Sequence, residues 1–116
     1  MYTLYHNPRC RKSREALNFL IEQGVTPQIR EYLKEPLSKE ELRQLLKQIN
    51  LPPSAVVRKN EAEWKALPNR KELNEEAILD ALSQFPKIIE RPIVTFNNSG
   101  VLARPLENLV NFFKVD

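Results

Sequence analysis

The sequence predicts an α/β fold whose elements run strand–helix–strand, then several helices, then strand–strand–helix. Residues 1–5 and 28–32 have the composition of strands and flank a helical pattern at 11–23, which indicates two parallel strands joined by a crossover helix. Near the C-terminus, residues 93–96 and 101–103 alternate in polarity around a turn-forming segment, which predicts an antiparallel hairpin. A final helix follows the hairpin.

The predicted helices carry local start and stop signals. Gly24 stands where a glycine commonly ends a helix, in this case the first one. Ser38 and Glu41 have the spacing of a capping box for the next long helix, and Asn74 can cap a later one. Pro105 suits the first turn of the last helix. The predicted inward face of the first helix consists of Ala16, Leu17, Leu20 and Ile21.

Composition excludes several classes of protein. A chain of 116 residues, 41% hydrophobic and 28% charged, suits one globular domain. Two glycines are too few for a P-loop or a dinucleotide fingerprint, and one cysteine with one histidine cannot complete a zinc site. The net charge of +3 is modest, and no apolar run is long enough to cross a membrane. A single cysteine allows no internal disulfide, which indicates a reducing compartment, so we expect a cytoplasmic protein. We also expect a monomer with no bound metal or cofactor and no nucleic-acid or membrane partner.

The only cysteine, Cys10, has the surroundings of a reactive thiol. It lies at the start of the first predicted helix, within the segment His6-Asn7-Pro8-Arg9-Cys10-Arg11-Lys12-Ser13-Arg14, which also holds the only histidine. Cations and a helix N-terminus both favour the nucleophilic thiolate over a thiol whose ordinary pKa is about 8.5. A buried apolar role is the alternative for a lone cysteine, and the flanking charges argue against it.

The order of elements, with a cysteine at the start of the first helix, describes a thioredoxin-like sheet. The stretch from 38 to 84 would then be a helical insertion that replaces the usual single crossover. Within it, residues 52–54 break the chain and open a short helix at 55–58, and a second short helix covers 61–67. The chain is therefore predicted to be one thioredoxin-like domain with this insertion.

Four separated motifs carry a more specific signal. They are His6-Asn7-Pro8-x-Cys10-x-x-Ser13-Arg14, Val57-Arg58-Lys59-Asn60, Glu90-Arg91-Pro92-Ile93-Val94 and Ala103-Arg104-Pro105. In this order and near these separations they resemble the signatures of the glutaredoxin-coupled arsenate reductases, and the resemblance covers essentially the whole chain. Arg11 and Lys12 depart from the family pattern, in which smaller neutral residues are common. These two cations would either strengthen anion attraction or alter the docking of the thiol partner.

The resemblance implies roles for residues around the thiol. Cys10 becomes the nucleophile that attacks arsenate, and His6 matches a histidine that helps to lower the cysteine pKa. Pro92 matches the cis-proline beside the active site of thioredoxin-like folds, although an X–Pro bond is cis in only about 5–6% of cases. Asn7 belongs to the same motif and is expected to have a structural part in the site.

The resemblance also implies an oxyanion-binding set. Arsenate is a divalent anion, and its repulsion from a thiolate is about 4 kcal/mol per pair of unit charges at about 4 Å with an effective dielectric near 20. Convergent guanidinium groups can offset this repulsion and orient the oxygens through forked hydrogen bonds. The predicted substrate-binding residues are Arg58, Arg91, Arg104, Ser13 and Arg14.

A single cysteine makes an external thiol necessary for turnover, because no internal disulfide can form. The resemblance implies glutathione as co-substrate, forming an adduct on arsenic, and glutaredoxin as the partner that completes the reduction while arsenite leaves. The phosphatase-like arsenate reductases differ, since they use further cysteines and an arginine six residues after the nucleophile. This chain has Ala16 at that position.

Two other functions fit the same residues. A glutathione-dependent thiol reductase of unknown substrate would need only the Cys10-x-x-Ser13 arrangement. A transcription regulator of the Spx type, which binds RNA polymerase, resembles this fold, but such sensors commonly carry a Cys-x-x-Cys pair that Ser13 removes. Arsenate reduction is the first hypothesis, because three convergent arginines have no evident purpose in a binding module.

Overall fold

The structure is a computed structural model that describes residues 1–115. The chain divides into two compact units, one formed by Met1–Glu35 with the segment that begins at Arg91, and the other by Pro36–Glu90. The second unit contains the insertion predicted at 38–84, and the interpretation of the whole chain as one domain stays a prediction. Within the described residues, no helix is long and apolar enough to span a membrane.

The first unit holds a four-stranded mixed sheet. Its strands are β1 (Tyr2–Tyr5), β2 (Gln28–Arg30), β3 (Ile93–Phe96) and β4 (Ser99–Leu102). The order across the sheet is β2-β1-β3-β4, with β1 parallel to β2 and antiparallel to β3, and with β3 antiparallel to β4. The predicted α/β fold with a mixed sheet is thus confirmed.

The α-helices are α1 (Arg11–Glu22), α2 (Lys39–Ile49), α3 (Ala62–Lys65), α4 (Glu75–Gln84) and α5 (Leu106–Val115). Both helices of the first unit, α1 and α5, pack with the sheet. Leu4 and Val94 are paired across β1 and β3 and are fully buried together with Ala16, Leu20 and Leu109. Burying a side chain such as leucine contributes about 1.5–3 kcal/mol, so this cluster holds the start of α1 firmly against the end of β1.

The second unit is built from α2, α3 and α4 with short 3₁₀ turns. The Ser38 Oγ accepts the Glu41 N–H at 3.1 Å and the Glu41 carboxylate accepts the Ser38 N–H at 3.1 Å, which confirms the predicted capping box. Asn74 Oδ1 accepts the Ala77 N–H at 2.8 Å at the start of α4, also as predicted. Trp64 of α3 is buried.

Three predicted details of the fold are wrong. Ile21 is 56% exposed, because α1 packs through the narrower strip that contains Ala16 and Leu20. The second strand ends at Arg30 instead of 32, since the Glu31 carbonyl accepts two N–H groups of the following turn. The short helix expected at 55–58 is a 3₁₀ turn that begins at the prolines, Pro53–Val56.

The hairpin is tighter than predicted. Ser99 already pairs with Phe96, so the loop contains only Asn97 and Asn98 instead of four residues. Asn97 adopts a φ of 56°, a left-handed conformation that asparagine tolerates better than most residues. Gly24 also has a positive φ, of 81°, which agrees with its predicted place just beyond the end of a helix.

Candidate active site

Cys10 is the N-cap residue of α1, directly before Arg11. Its backbone is extended, with φ −91° and ψ 122°, and its carbonyl accepts the Arg14 N–H at 3.1 Å. The Cys10 N–H donates to the Asn7 carbonyl at 2.9 Å, so residues 7–10 form a tight turn between β1 and α1. This turn places the thiol beside the N–H groups of the first helical turn, which have no acceptor within the helix.

The pKa of the Cys10 thiol lies below its ordinary value. Burial is the largest single influence and by itself raises the pKa, because desolvation penalises the thiolate. Hydrogen bonds from the Ser13 backbone, the Arg91 side chain and the Lys12 backbone, together with the charge of Arg91, outweigh it. The thiol is therefore prepared as a nucleophile beside a fixed cation.

Two of the predicted arginines come together with Cys10 in the first unit. The Arg91 side chain hydrogen-bonds the thiol, and Arg104 Nη1 donates to the Arg91 carbonyl at 3.3 Å. The Arg91–Pro92 peptide bond is cis, as the resemblance implies for Pro92, and the Arg104–Pro105 bond is cis as well. Arg91 thus acts on the thiol directly, and Arg104 is connected to it through the Arg91 carbonyl.

Arg58 belongs to the second unit, and its predicted part in oxyanion binding stays a prediction. It follows Val57, whose backbone forms an isolated bridge with Ile89, and its own N–H donates to the Ile88 carbonyl at 2.7 Å. The side chain is 25% exposed and its Nε lies 3.9 Å from a Glu61 carboxylate oxygen. Its Nη1 is buried and has no hydrogen-bond partner among residues 1–115, which leaves a strong donor available for an anion.

Ser13, Arg14 and Asn7 hold the turn that carries the thiol. Ser13 is fully buried, and its Oγ accepts the Asn7 N–H at 3.3 Å. Arg14 Nη1 donates to the Pro8 carbonyl at 3.0 Å, and Asn7 Oδ1 accepts the Arg9 N–H at 3.1 Å. These contacts fit the structural part expected of Asn7. They give Ser13 and Arg14 a positioning role, beside which their predicted contact with substrate stays a prediction.

His6 is buried and its pKa is lowered, mainly by burial; the charge of Glu31 opposes this shift and that of Arg14 adds to it. The imidazole is therefore neutral near pH 7. A neutral ring contributes no positive charge to the thiol, and the lowering of the Cys10 pKa is accounted for by Ser13, Lys12 and Arg91. His6 is not among the groups that shift the Cys10 pKa, and the effect on the thiol that the resemblance implies for it stays a prediction.

Both cations that depart from the family pattern, Arg11 and Lys12, lie near the carboxylate of Glu15. Arg11 Nε lies 3.6 Å and Lys12 Nζ 3.9 Å from the carboxylate of Glu15, one turn further along α1. Exposed pairs of this kind contribute about 0.3–0.5 kcal/mol each. Glu15 therefore partly neutralises the extra positive charge beside the thiol, and the effect of these cations on a thiol partner stays a prediction.

Residues 5–112 match the model of a protein family described as the ArsC family. An arsenate reductase of Neisseria meningitidis is 36% identical over 111 residues, which cover 91% of this chain and 92% of that protein. The chain belongs to the ArsC family. The uncharacterised protein YfgD of Escherichia coli is 41% identical over 109 residues, 92% of either chain.

The solved structure of an arsenate reductase from Vibrio cholerae extends this ArsC-family relationship to the fold. It matches with a TM-score of 0.87 at 38% identity, covering 95% of this chain and 95% of that chain. The thioredoxin-like fold predicted from the order of elements is confirmed by this likeness.

Sequence reasoning missed the contacts that shape the cysteine turn of this ArsC-family chain. The bond from Arg14 to the Pro8 carbonyl and the bond from Arg104 to the Arg91 carbonyl join side chains to backbone atoms, which no motif names. No motif marks residues 31–35 either, although the His6 N–H donates to the Arg30 carbonyl and joins the loop after β1 to the loop after β2. The parallel pairing of β1 and β2 was a usable signal, because loops at the carboxyl ends of parallel strands meet at one edge of a sheet.

Proposed function

We propose that this chain is an arsenate reductase that takes its electrons from glutathione and glutaredoxin. The observation that carries the proposal is the Cys10 thiol, whose pKa is lowered and which is hydrogen-bonded to Arg91. The names of the Neisseria and Vibrio relatives, both arsenate reductases, support arsenate as the substrate. Of the 116 residues, only one is a cysteine, which supports the need for an outside thiol.

The first half of the proposed cycle builds an adduct without changing the oxidation state of arsenic. The Cys10 thiolate donates an electron pair to arsenic, and one arsenate oxygen takes up protons and leaves as water. Glutathione then displaces a second oxygen in the same way. Arsenic is now bonded to both sulfurs and is still pentavalent.

The second half transfers two electrons. The glutaredoxin thiolate attacks the glutathione sulfur, a disulfide forms between these two partners, and the electron pair of the broken arsenic–sulfur bond remains on arsenic. Water then hydrolyses the bond to Cys10, trivalent arsenite leaves, and the cysteine recovers its proton. The net reaction consumes one arsenate and two thiols and yields arsenite, one mixed disulfide and one water.

The basic side chains have a definite task in this scheme. Arg91 stabilises the thiolate before the attack and neutralises the oxyanion during it, since both are anions that must approach each other. Arg104, whose Nη1 donates to the Arg91 carbonyl, is the second proposed oxyanion ligand. Arg58 is the third proposed oxyanion ligand, and the N–H groups at the start of α1 add further donors.

The decisive experiment is a coupled assay of arsenate reduction. Wild-type protein is supplied with arsenate, glutathione, glutaredoxin, glutathione reductase and NADPH, and each thiol component is then omitted in turn. We expect turnover that requires both glutathione and glutaredoxin and is abolished by Cys10→Ser. Folded wild-type protein without turnover would contradict the proposal, and turnover without glutathione would contradict its mechanism.

A glutathione-dependent thiol reductase is the second candidate. It is favoured by the buried Ser13, whose Oγ contacts the Asn7 backbone, because the reactive cysteine then acts as a single thiolate without a resolving partner. A glutathione mixed disulfide offered in place of arsenate separates the two functions. Faster reduction of the disulfide than of arsenate would favour this second activity.

A further inference from the structure

Two loops at one edge of the sheet enclose a cleft of about 340 Å³. One loop follows β1 and contains His6 and Arg9, and the other follows β2 and contains Glu31 and Lys34. Since β1 and β2 are parallel, both loops leave the carboxyl ends of adjacent strands, where α/β proteins commonly bind ligands. The volume lies within the range of about 300–1,000 Å³ that is typical of small-molecule sites.

Both walls of the cleft are fixed by hydrogen bonds. The His6 N–H donates to the Arg30 carbonyl at 2.9 Å, which ties the two loops together at their base. The Glu31 carbonyl accepts the N–H groups of Lys34 at 3.0 Å and Glu35 at 2.9 Å, and Arg30 Nε donates to the Glu35 carbonyl at 2.9 Å. The other wall is the turn held by Asn7 and α1. A ligand would therefore meet a preformed site.

Charged residues of both signs line the cleft. Arg9 and Lys34 are cationic and Glu31 is anionic, which gives the rim two positive charges and one negative charge. The Lys34 Nζ lies 3.6 Å from a Glu31 carboxylate oxygen, so an ammonium group and a carboxylate group of one ligand could each find a partner there. Glutathione at neutral pH carries one ammonium and two carboxylates, the reverse of this charge pattern.

A buried polar atom in the wall adds an independent sign of a ligand. His6 is 6% exposed, it lines the cleft, and its Nδ1 has no hydrogen-bond partner among residues 1–115. A buried polar atom without a partner is costly, and the amide groups of a peptide can supply the missing hydrogen bond. Leu33, 39% exposed, offers an apolar contact in the same cleft.

We propose that this cleft binds the peptide thiol that completes the cycle, a short zwitterionic peptide of the glutathione type, with Glu31 on its ammonium group and Arg9 and Lys34 on its carboxylates. This inference rests on the proposed function, because it names the site of that reaction's co-substrate. Arg9 directly precedes Cys10, and consecutive Cα atoms are about 3.8 Å apart. An extended tripeptide spans about 10 Å, which exceeds the separation of these two Cα atoms, and we place its central thiol at the Arg9 end of the cleft, toward Cys10.

The test uses S-methylglutathione, which has the charges of glutathione and cannot form a disulfide. Isothermal titration calorimetry of the full chain without arsenate should show saturable binding. Glu31→Gln should weaken this binding about tenfold, or about 1.4 kcal/mol, as expected for the loss of one charge-assisted contact. Glu22→Gln, which removes an exposed carboxylate at the end of α1 outside the cleft, is the matched control and should bind like the wild type.

A second ligand isolates the contact assigned to Glu31. S-methylglutathione with an acetylated amino group lacks the ammonium charge, and it should bind the wild type about tenfold more weakly. The same acetylation should make no difference to Glu31→Gln, because the pair is already broken. Circular dichroism and thermal unfolding establish that each variant is folded, and Glu31→Asp should restore part of the affinity.

The results separate this inference from the proposed function. Absence of binding to the folded wild type, or equal affinity of wild type and Glu31→Gln for S-methylglutathione, would overturn the inference even if arsenate is reduced. Conversely, a cleft that binds as described in a protein without arsenate turnover would leave the inference standing and remove the proposed substrate. In the active enzyme, Glu31→Gln should raise the KM for glutathione and leave the KM for arsenate unchanged.

Discussion

The Arg91 guanidinium hydrogen-bonds the Cys10 thiol, while the Arg91 carbonyl accepts a hydrogen bond from Arg104 at 3.3 Å. Arg91 thus contacts the nucleophile through its side chain and the second arginine through its backbone carbonyl. Arg91 is joined to Pro92 by a cis bond, and the chain enters β3 directly after Pro92. The chemistry of the thiol therefore depends on a segment some eighty residues away along the chain, as the numbering of Cys10 and Arg91 shows.

Removal of Arg91 should raise the pKa of Cys10. Arg91→Ala deletes both the hydrogen bond and the positive charge, so burial is opposed only by the backbone N–H groups. We expect alkylation by iodoacetamide at pH 6.5 to slow several-fold and its pH profile to move to higher pH. Arg11→Ala, which removes a cation paired with Glu15, is the control and should change the profile little. An unchanged profile for Arg91→Ala would contradict the assigned role.

Ser13→Ala should destabilise the protein through the cysteine turn. The Ser13 Oγ is the acceptor for the Asn7 N–H in a buried setting, and a buried N–H without a partner costs about 1–3 kcal/mol. Urea unfolding should show a loss of that size. Ser83→Ala removes an exposed hydroxyl that donates to the Asp80 carbonyl, and it should cost less than about 0.5 kcal/mol. Equal losses for the two variants would remove the special role of Ser13.

Stability should fall as the pH decreases below 6.5 because of His6. Burial lowers its pKa from the ordinary value of 6.5, so between the two pKa values the folded protein binds fewer protons than the unfolded chain. The free energy of unfolding therefore rises with pH between the two pKa values. Above pH 6.5 and below the pKa of the folded state, His6 adds no further pH dependence. His6 is the only histidine, so His6→Gln should flatten the slope between pH 5 and pH 6.5, whatever its absolute stability.

Arg58→Ala should impair arsenate binding with little effect on the thiol. The buried, unpartnered Nη1 is a donor available to an oxyanion, and hydrogen bonds to charged groups contribute about 1.5–3 kcal/mol. The KM for arsenate should rise about 10- to 100-fold, with the alkylation profile of Cys10 unchanged. Arg70→Ala, an exposed arginine of the same unit, serves as the control. If both variants keep the wild-type KM, Arg58 is not an oxyanion ligand.

The local elements could be predicted because their signals are short-range. The capping box of Ser38 and Glu41, the Asn74 cap and the positive φ of Gly24 each depend on residues within a few positions of one another. The predictions were wrong where the burial of a residue depends on contacts with residues distant in sequence. Ile21 has the spacing of a buried residue and is exposed, because only tertiary packing determines how wide a helix face is covered.

By itself, the sequence determined that one thiol lies at a helix N-terminus after a strand, that no second cysteine can resolve it, and that motifs with arginines stand at Arg58, Arg91 and Arg104. Only the tertiary structure decided which groups act on Cys10: burial, the Arg91 side chain, and the backbone of Lys12 and Ser13. The residue types and the position of the helix can be predicted from short stretches of the sequence. The distances and burial that set a pKa depend on where the sheet brings β1 and the segment before β3 together.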